Sequence, residues 1–364
     1  MLMLIFGTRP EAIKLGPVAA ELKLLGCQLN IVCTGQHSDL LRGTPAESDL
    51  AGATSLGLAS DGSVLRWLRG AERALAGPTG PLSGIVVVQG DTMSALAGAR
   101  AAAEKGLVLA HVEAGVRSHR LTEPWPEEGF RVEIDRLADW YYAPTSTAFA
   151  NLLAEGAPLT RIITTGNSVV SALARYAAAT PKPPSDHCLV TMHRREWLER
   201  EGFMGVLDAL QAAAREHPAA RFIWPMHPAV AQRVGLMRAW FETMPSNFMV
   251  VAPLPYREAI SVLSHAFGVL TDSGGLVEEA ATLGVPSVQL RNVSDRPEAI
   301  EVGVSQLCPP TADGVMQGVA ALCGGAFPRC PTVVYGGVDS AAKVARHLAS
   351  LDAASTVPTP LEVN

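Results

Sequence analysis

Three carboxylates, a histidine and a glycine pair stand where short apolar runs of this chain end. Asp91 lies in QGDT, Glu113 in HVEAGVR and Glu127 in PWPEE. Loop carboxylates near cations are candidates for general acid and base work. Any one of them alone reads as a helix cap or an exposed charge, but together they favour proton transfer. His193 stands beside Arg194 and Arg195 in TMHRRE, a run better suited to an anion than to a core. In TDSGGLVEEA (271–280), Ser273, Gly274 and Gly275 open a helical pattern. Backbone N–H groups there are unsatisfied, the helix dipole favours an anion, and glycine admits a ligand close to the backbone. Glu279, one turn further, can accept ribose hydroxyls. The competing reading is a plain helix capped by Asp272 or Ser273. Arg296, in RNVSDRPEA, is a bidentate partner for a phosphate or half of a surface salt bridge. Arg9, in GTRPEAIK, is a cation at the first strand exit, with Pro10 suited to a first helical turn. No GxGxxG and no GxxxxGK[ST] occurs, so neither a dinucleotide fingerprint nor a Walker loop is present. HExxH and CxxC are absent and the acids lack metal-ligand spacing, so no metal is implied.

The elements that must position these residues read as two series. LMLIF (2–6), LNIVCT (29–34), GIVVVQ (84–89) and LVLAHVEAG (107–115) alternate with Ala/Leu-rich helical stretches. CLVTMH (188–193), RFIWPMH (221–227), FMVVAP (248–253), AFGVL (266–270) and VPSVQL (285–290) form the second series. Continuous apolar strands separated by helices predict parallel sheets covered on both faces, and two series predict two doubly wound α/β domains. Ligands of such sheets bind beyond the strands' carboxyl ends, so polar strand exits in both halves point to one cleft. The expected divisions are an N-terminal domain at 1–178, a Pro-rich linker at 179–187, a second domain at 188–338, a final helix at 339–352 and a tail at 353–364.

Composition agrees. The 364 residues are 48% apolar and 18% charged, with a net charge of −6. This is a core-forming chain of two-domain length, with no basic block for nucleic acid. Six scattered cysteines suit reduced thiols in the cytoplasm. The N-terminus reads as a strand and not a signal peptide, and no window of about 20 apolar residues predicts a membrane span.

In order and in register from residue 7 to about 299, GTRPEAIK, TGQH, GDT, HVEAGVR, PWPEE, APT, TGN, HRRE, LTDSGGLVEEA, GVP and RPEA resemble the non-hydrolysing UDP-N-acetylglucosamine 2-epimerases. The resemblance implies two Rossmann-like domains facing a deep cleft, as in GT-B glycosyltransferases. It implies that Ser273, Gly274 and Gly275 hold the diphosphate of UDP, Glu279 the ribose, and Arg9 and Arg296 the phosphate charge, with uracil near VAPLPY. Asp91, Glu113, Glu127 and His193 would carry the reaction without a cofactor. The sugar C2 proton is not acidic, so UDP would leave first and the resulting 2-acetamidoglucal would take UDP back after protonation from the other face. Gln36, Arg194 and His227 resemble a second, activating UDP-sugar site, and a homodimer is usual for the family.

Two positions depart from the family pattern. Phe130 replaces the usual Asn in PEEGFR, and Asp39 replaces a usual Gln, the latter predicting weakened or altered substrate activation. Phe130 and Met192 read as marks of a changed sugar pocket. The rival readings are a 2-epimerase for a modified UDP-sugar, a hydrolysing 2-epimerase releasing N-acetylmannosamine and UDP, a glycosyltransferase, and a non-catalytic binder. The retained acids argue against the last two.

Overall fold

Buried apolar runs become parallel strands, and the stretches between them become helices. A computed structural model describes residues 1–35, 41, 43–58, 62–78, 80–177, 183–194, 202–226, 230–231 and 238–356. The chain divides into two units. One contains Met1–Val116, Gly129–Ala172 and Gly336–Asn364, the other Arg117–Glu128 and Leu173–Tyr335.

The first unit runs β1 (Leu2–Phe6), α1 (Arg9–Leu24), β2 (Leu29–Cys33), β3 (Thr54–Ser55), α2 (Val64–Ala76), β4 (Ile85–Gln89), α3 (Met93–Glu104), β5 (Leu109–Val112), α4 (Glu127–Leu137), β6 (Trp140–Ala143), α5 (Ser146–Ala154), β7 (Ile162–Thr164) and α6 (Ser168–Ala172). Its parallel sheet has the order β3-β2-β1-β4-β5-β6-β7. All side chains of β1 and β4 are buried, which requires helices on both faces. The winding direction reverses between β1 and β4, so this sheet's switch point lies beyond Phe6 and Gln89. Gly7 is dictated by packing there, since a Cβ would fall 1.8 Å from Ser94 Oγ.

The second unit runs β8 (His187–Thr191), α7 (Phe203–Glu216), β9 (Arg221–Pro225), α8 (Arg238–Glu242), β10 (Phe248–Val251), α9 (Tyr256–His265), β11 (Gly268–Thr271), α10 (Gly274–Leu283), β12 (Ser287–Leu290), α11 (Pro297–Glu301), β13 (Ser305–Cys308) and α12 (Ala312–Cys323). Its parallel sheet has the order β10-β9-β8-β11-β12-β13, with the reversal between β8 and β11. A last helix, α13 (Ser340–Thr356), belongs to the first unit and packs along α1. It is pinned there by a 2.9 Å hydrogen bond between Tyr142 Oη and His347 Nδ1.

The two sheets bear out the α/β class. Strands β3, β6, β7 and β13 are not marked in the sequence because they are short, and SQLC carries polar residues. Strand β5 ends at Val112, before the predicted 115, because Glu113 turns to φ 70° and Gly115 to φ 80°. Strand β8 begins at His187, inside the stretch read as a linker, of which residues 179–182 lie outside the described set. No helix among the described residues is long and apolar enough to cross a membrane.

Candidate functional site

At the first unit's switch point, α1 starts with a reciprocal cap. Glu11 N donates to Thr8 Oγ1 (3.4 Å), while Glu11 Oε2 accepts from Gly7 N (3.0 Å) and Thr8 Oγ1 (2.7 Å). Thr92, the N-cap of α3, donates to Glu11 Oε1 at 2.6 Å, so one buried carboxyl ties the exits of β1 and β4 together. Burial outweighs these hydrogen bonds and raises its pKa to about 7. Arg9 is exposed on the first turn of the same helix.

Asp91 follows β4. Its Oδ2 takes Arg131 Nε at 2.7 Å and Nη2 at 2.5 Å, a charge-assisted contact from α4. Glu113 follows β5 in the left-handed region, φ 70°, which a non-glycine residue enters only under constraint. The constraint is visible: the N–H groups of Glu113 and Ala114 both donate to Tyr142 O, at 3.1 and 3.2 Å. The turn swings the carboxylate onto Lys14 Nζ (2.5 Å) and Gln89 Nε2 (2.8 Å), in a buried ion pair. Below it, fully buried His111 bonds Asp135 through Nδ1 (2.6 Å) and Gly90 O through Nε2 (2.8 Å).

The second unit's switch point is organised by one carboxylate. Asp272 follows β11 with its side chain fully buried. Its Oδ2 accepts the N–H groups of His193 (2.6 Å) and Arg194 (2.8 Å) at the exit of β8, and His193 Nδ1 lies 3.1 Å from Oδ1. Arg194 Nε donates to Asp272 O at 2.7 Å. Ser273 is the N-cap residue of α10, yet its side chain makes no cap hydrogen bond. The simple capped-helix reading therefore fails for Ser273, while Asp272 spends its oxygens on the neighbouring strand. A Cβ at Gly275 would meet nothing within 4 Å, so the space beside its Cα is open. Buried Arg296 is held by Glu278 and Asp295. It therefore reaches the helix start as a braced charge and not as a free surface fork. Glu279 Oε1 accepts from Tyr256 Oη at 3.0 Å.

The residues read from the sequence thus fall in two groups. Arg9, Asp91 and Glu113 belong to the first unit. Glu127, His193, Arg194, Ser273, Gly274, Gly275, Glu279 and Arg296 belong to the second. Glu127 opens α4 within segment 117–128, which Glu123 ties to Asn292 Nδ2 at 2.8 Å and Glu128 folds by accepting Ser118 N (3.0 Å) and His119 N (2.9 Å). Gln36, Asp39 and His227 lie outside the described residues. Met192 is buried in the second unit's core, which takes it away from a pocket surface, while Phe130 packs partly buried against the first unit's core. Sequence reasoning misses Lys14, Gln89, Arg131, Asp135 and Asp272 as partners. Lys14, one turn after Glu11 in GTRPEAIK, is the best signal available for finding one of them.

The model of the family "UDP-N-acetylglucosamine 2-epimerase" matches residues 23–349. The chain is 33% identical over 342 residues to the UDP-N-acetylglucosamine 2-epimerase of Escherichia coli K12, covering 87% of this chain and 89% of that protein. It is 33% identical over 335 residues to the Campylobacter jejuni enzyme of the same name, covering 84% and 85%. The Methanocaldococcus jannaschii UDP-GlcNAc 2-epimerase, solved in complex with UDP-GlcNAc and UDP, superposes with a TM-score of 0.83 at 29% identity, over 96% of this chain and 99% of that one. The Neisseria meningitidis enzyme bound to UDP-GlcNAc gives 0.85 at 26% identity, over 96% and 99%.

Proposed function

The chain belongs to the UDP-N-acetylglucosamine 2-epimerase family, and on that premise we propose that it interconverts UDP-N-acetylglucosamine and UDP-N-acetylmannosamine without releasing free sugar. The observation that supports this most is Glu113: a strained backbone aims its buried carboxylate at Lys14 and Gln89, one strand away from the Asp91–Arg131 pair. Such strain persists only where the surroundings enforce it.

The reaction must remove a C2 proton that no neighbouring carbonyl acidifies. Breaking the anomeric C–O bond first expels UDP, and the charge developing at C1 acidifies that proton. Loss of the proton gives 2-acetamidoglucal, and protonation at C2 from the opposite face with return of UDP to C1 gives the epimer. Two acid/base groups are required, drawn from Asp91, Glu113 and Glu127, each typically worth about 10²–10⁴-fold. Ser273 and the amides of Gly274 and Gly275 receive the diphosphate, with Arg9 and the braced Arg296 supplying positive field. His193, oriented by Asp272, stabilises the leaving diphosphate, and Glu279 takes the ribose hydroxyls. The proposal includes a homodimer, which light scattering of the purified chain tests.

Proton NMR with UDP-N-acetylglucosamine in D₂O tests the chemistry. UDP-N-acetylmannosamine deuterated at C2 is the expected product. Free N-acetylmannosamine with UDP as the first products would replace the proposal with a hydrolysing enzyme. Inertness towards UDP-N-acetylglucosamine, with UDP still bound, would overturn the substrate assignment.

A further inference from the structure

We infer that the buried His111–Asp135 pair is a positioning device that fixes the spacing of the Asp91 and Glu113 carboxylates, an inference that rests on the epimerase reading above. Four contacts carry it. His111 Nε2 bonds Gly90 O at 2.8 Å, the carbonyl immediately before Asp91. His111 Nδ1 bonds Asp135 Oδ1 at 2.6 Å. Asp135 Oδ2 accepts Gly115 N at 3.0 Å, two residues after Glu113. Arg131, one turn before Asp135 on α4, grips Asp91 itself at 2.7 Å. One helix therefore braces the β4 exit twice and the β5 exit once.

The proton count makes the brace stiff. Gly90 O only accepts, so Nε2 carries a proton. Nδ1 faces a carboxyl oxygen, so a second proton lies between Nδ1 and Oδ1 whichever atom holds it. The pair is thus net neutral and fully hydrogen-bonded in a dry site, where such networks are strong and rigid. Gly115 sits at φ 80° with Ala148 O so close that an added Cβ would fall 2.2 Å from it, so only glycine fits at this bonded turn. Neither His111 nor Asp135 needs to touch substrate; both act through the backbone on which the two carboxylates stand.

Two isosteric cuts separate the halves of the brace. H111Q keeps a donor at the Nε2 position towards Gly90 and gives up the Asp135 bond. H111N keeps the Asp135 bond and gives up Gly90. The measurement is steady-state epimerisation of UDP-N-acetylglucosamine, with thermal unfolding and UDP affinity alongside. Each variant is expected to lose on the order of 10²-fold in kcat, the usual cost of an ångström-scale misplacement, with KM and UDP affinity within about twofold of the parent. Released 2-acetamidoglucal and UDP should rise as removal and return of the C2 proton lose register. Unchanged kcat in folded H111Q and H111N would overturn the inference. If both variants fail to fold, D135A, which removes the partner of both His111 Nδ1 and Gly115 N, gives the same readout, and unchanged kcat there would overturn the inference equally. An inactive parent enzyme would instead overturn the epimerase reading on which this inference stands.

Discussion

The two switch points share a topology and differ in chemistry. Around each, four strands run in the same order, β2-β1-β4-β5 and β9-β8-β11-β12. The first presents carboxylates, each met by donors or cations: Glu11 by Thr8 and Thr92, Asp91 by Arg131, Glu113 by Lys14 and Gln89. The second uses its buried carboxylate, Asp272, to tie two strand exits together and leaves a helix start without a side-chain cap. On the proposed reading one frame would serve a proton-handling end and an anion-receiving end, and the difference lies in a few residues after each strand.

The largest expected break in this comparison is E113Q. It keeps the shape and the Gln89 neighbour but removes the charge. We predict a loss of about 10²–10⁴-fold in kcat, measured by epimerisation rate. The buried Lys14 then lacks its counter-charge, so the variant should also lose roughly 3–5 kcal/mol of stability, and K14M/E113Q should recover much of it without recovering activity. Full activity in E113Q would move proton transfer off the β5 exit.

On the other side, D272A leaves the N–H groups of His193 and Arg194 without their acceptor. Roughly 4 kcal/mol of stability should go, with weaker UDP binding, while UDP-independent properties of the first unit stay put. Denaturant unfolding and calorimetric titration with UDP check both. Unaltered UDP affinity would show that the β8 exit does not serve the anion end.

Glu11 sharpens the comparison through pH. Its folded pKa, about 7, lies above the ordinary 4.5 because burial disfavours the charge. The folded state therefore binds this proton more tightly than the unfolded chain does. That stabilisation is complete below about pH 4.5 and is lost as pH rises through 7. Against E11Q, which cannot ionise, the parent should lose about 3 kcal/mol between pH 4.5 and 8. A flat difference in unfolding free energy across that range would show that Glu11 is not held protonated.

These contrasts are only half legible in the sequence. The strands of both switch points stand out as continuous apolar runs, and Asp91, Glu113, His193 and Ser273 lie directly behind them. Their partners do not stand out. Lys14 is 99 positions from Glu113, and Arg131 is 40 from Asp91. Both sit on helices whose local pattern says nothing of such distant partners. Asp272 reads as a helix cap because nothing local says that its oxygens turn to β8. Phe130 and Met192 read as pocket residues from their place in the family's motifs, yet Met192 is buried in a core and Phe130 packs partly buried against one. Sequence adjacency reports which loop a residue is on, and side-chain direction decides what it does.

The smallest predicted effect tests the finest detail of the anion end. Tyr256 Oη donates to Glu279 Oε1 at 3.0 Å. Burial, followed by the Glu279 charge, holds the phenol well above its usual pKa, so it remains a donor at any working pH. If Glu279 receives the ribose, Tyr256 orients the carboxylate without touching the reacting carbons. Y256F removes one hydrogen bond to a charged group and nothing else of comparable size. The cost should be about 1 kcal/mol, or roughly fivefold, and it should appear in KM and in UDP affinity while kcat holds. Uracil alone, which lacks the ribose, should bind the variant and the parent equally. A fall in kcat with unchanged KM would instead place Glu279 among the groups that act on the sugar, and the division of labour between the two switch points would no longer be clean.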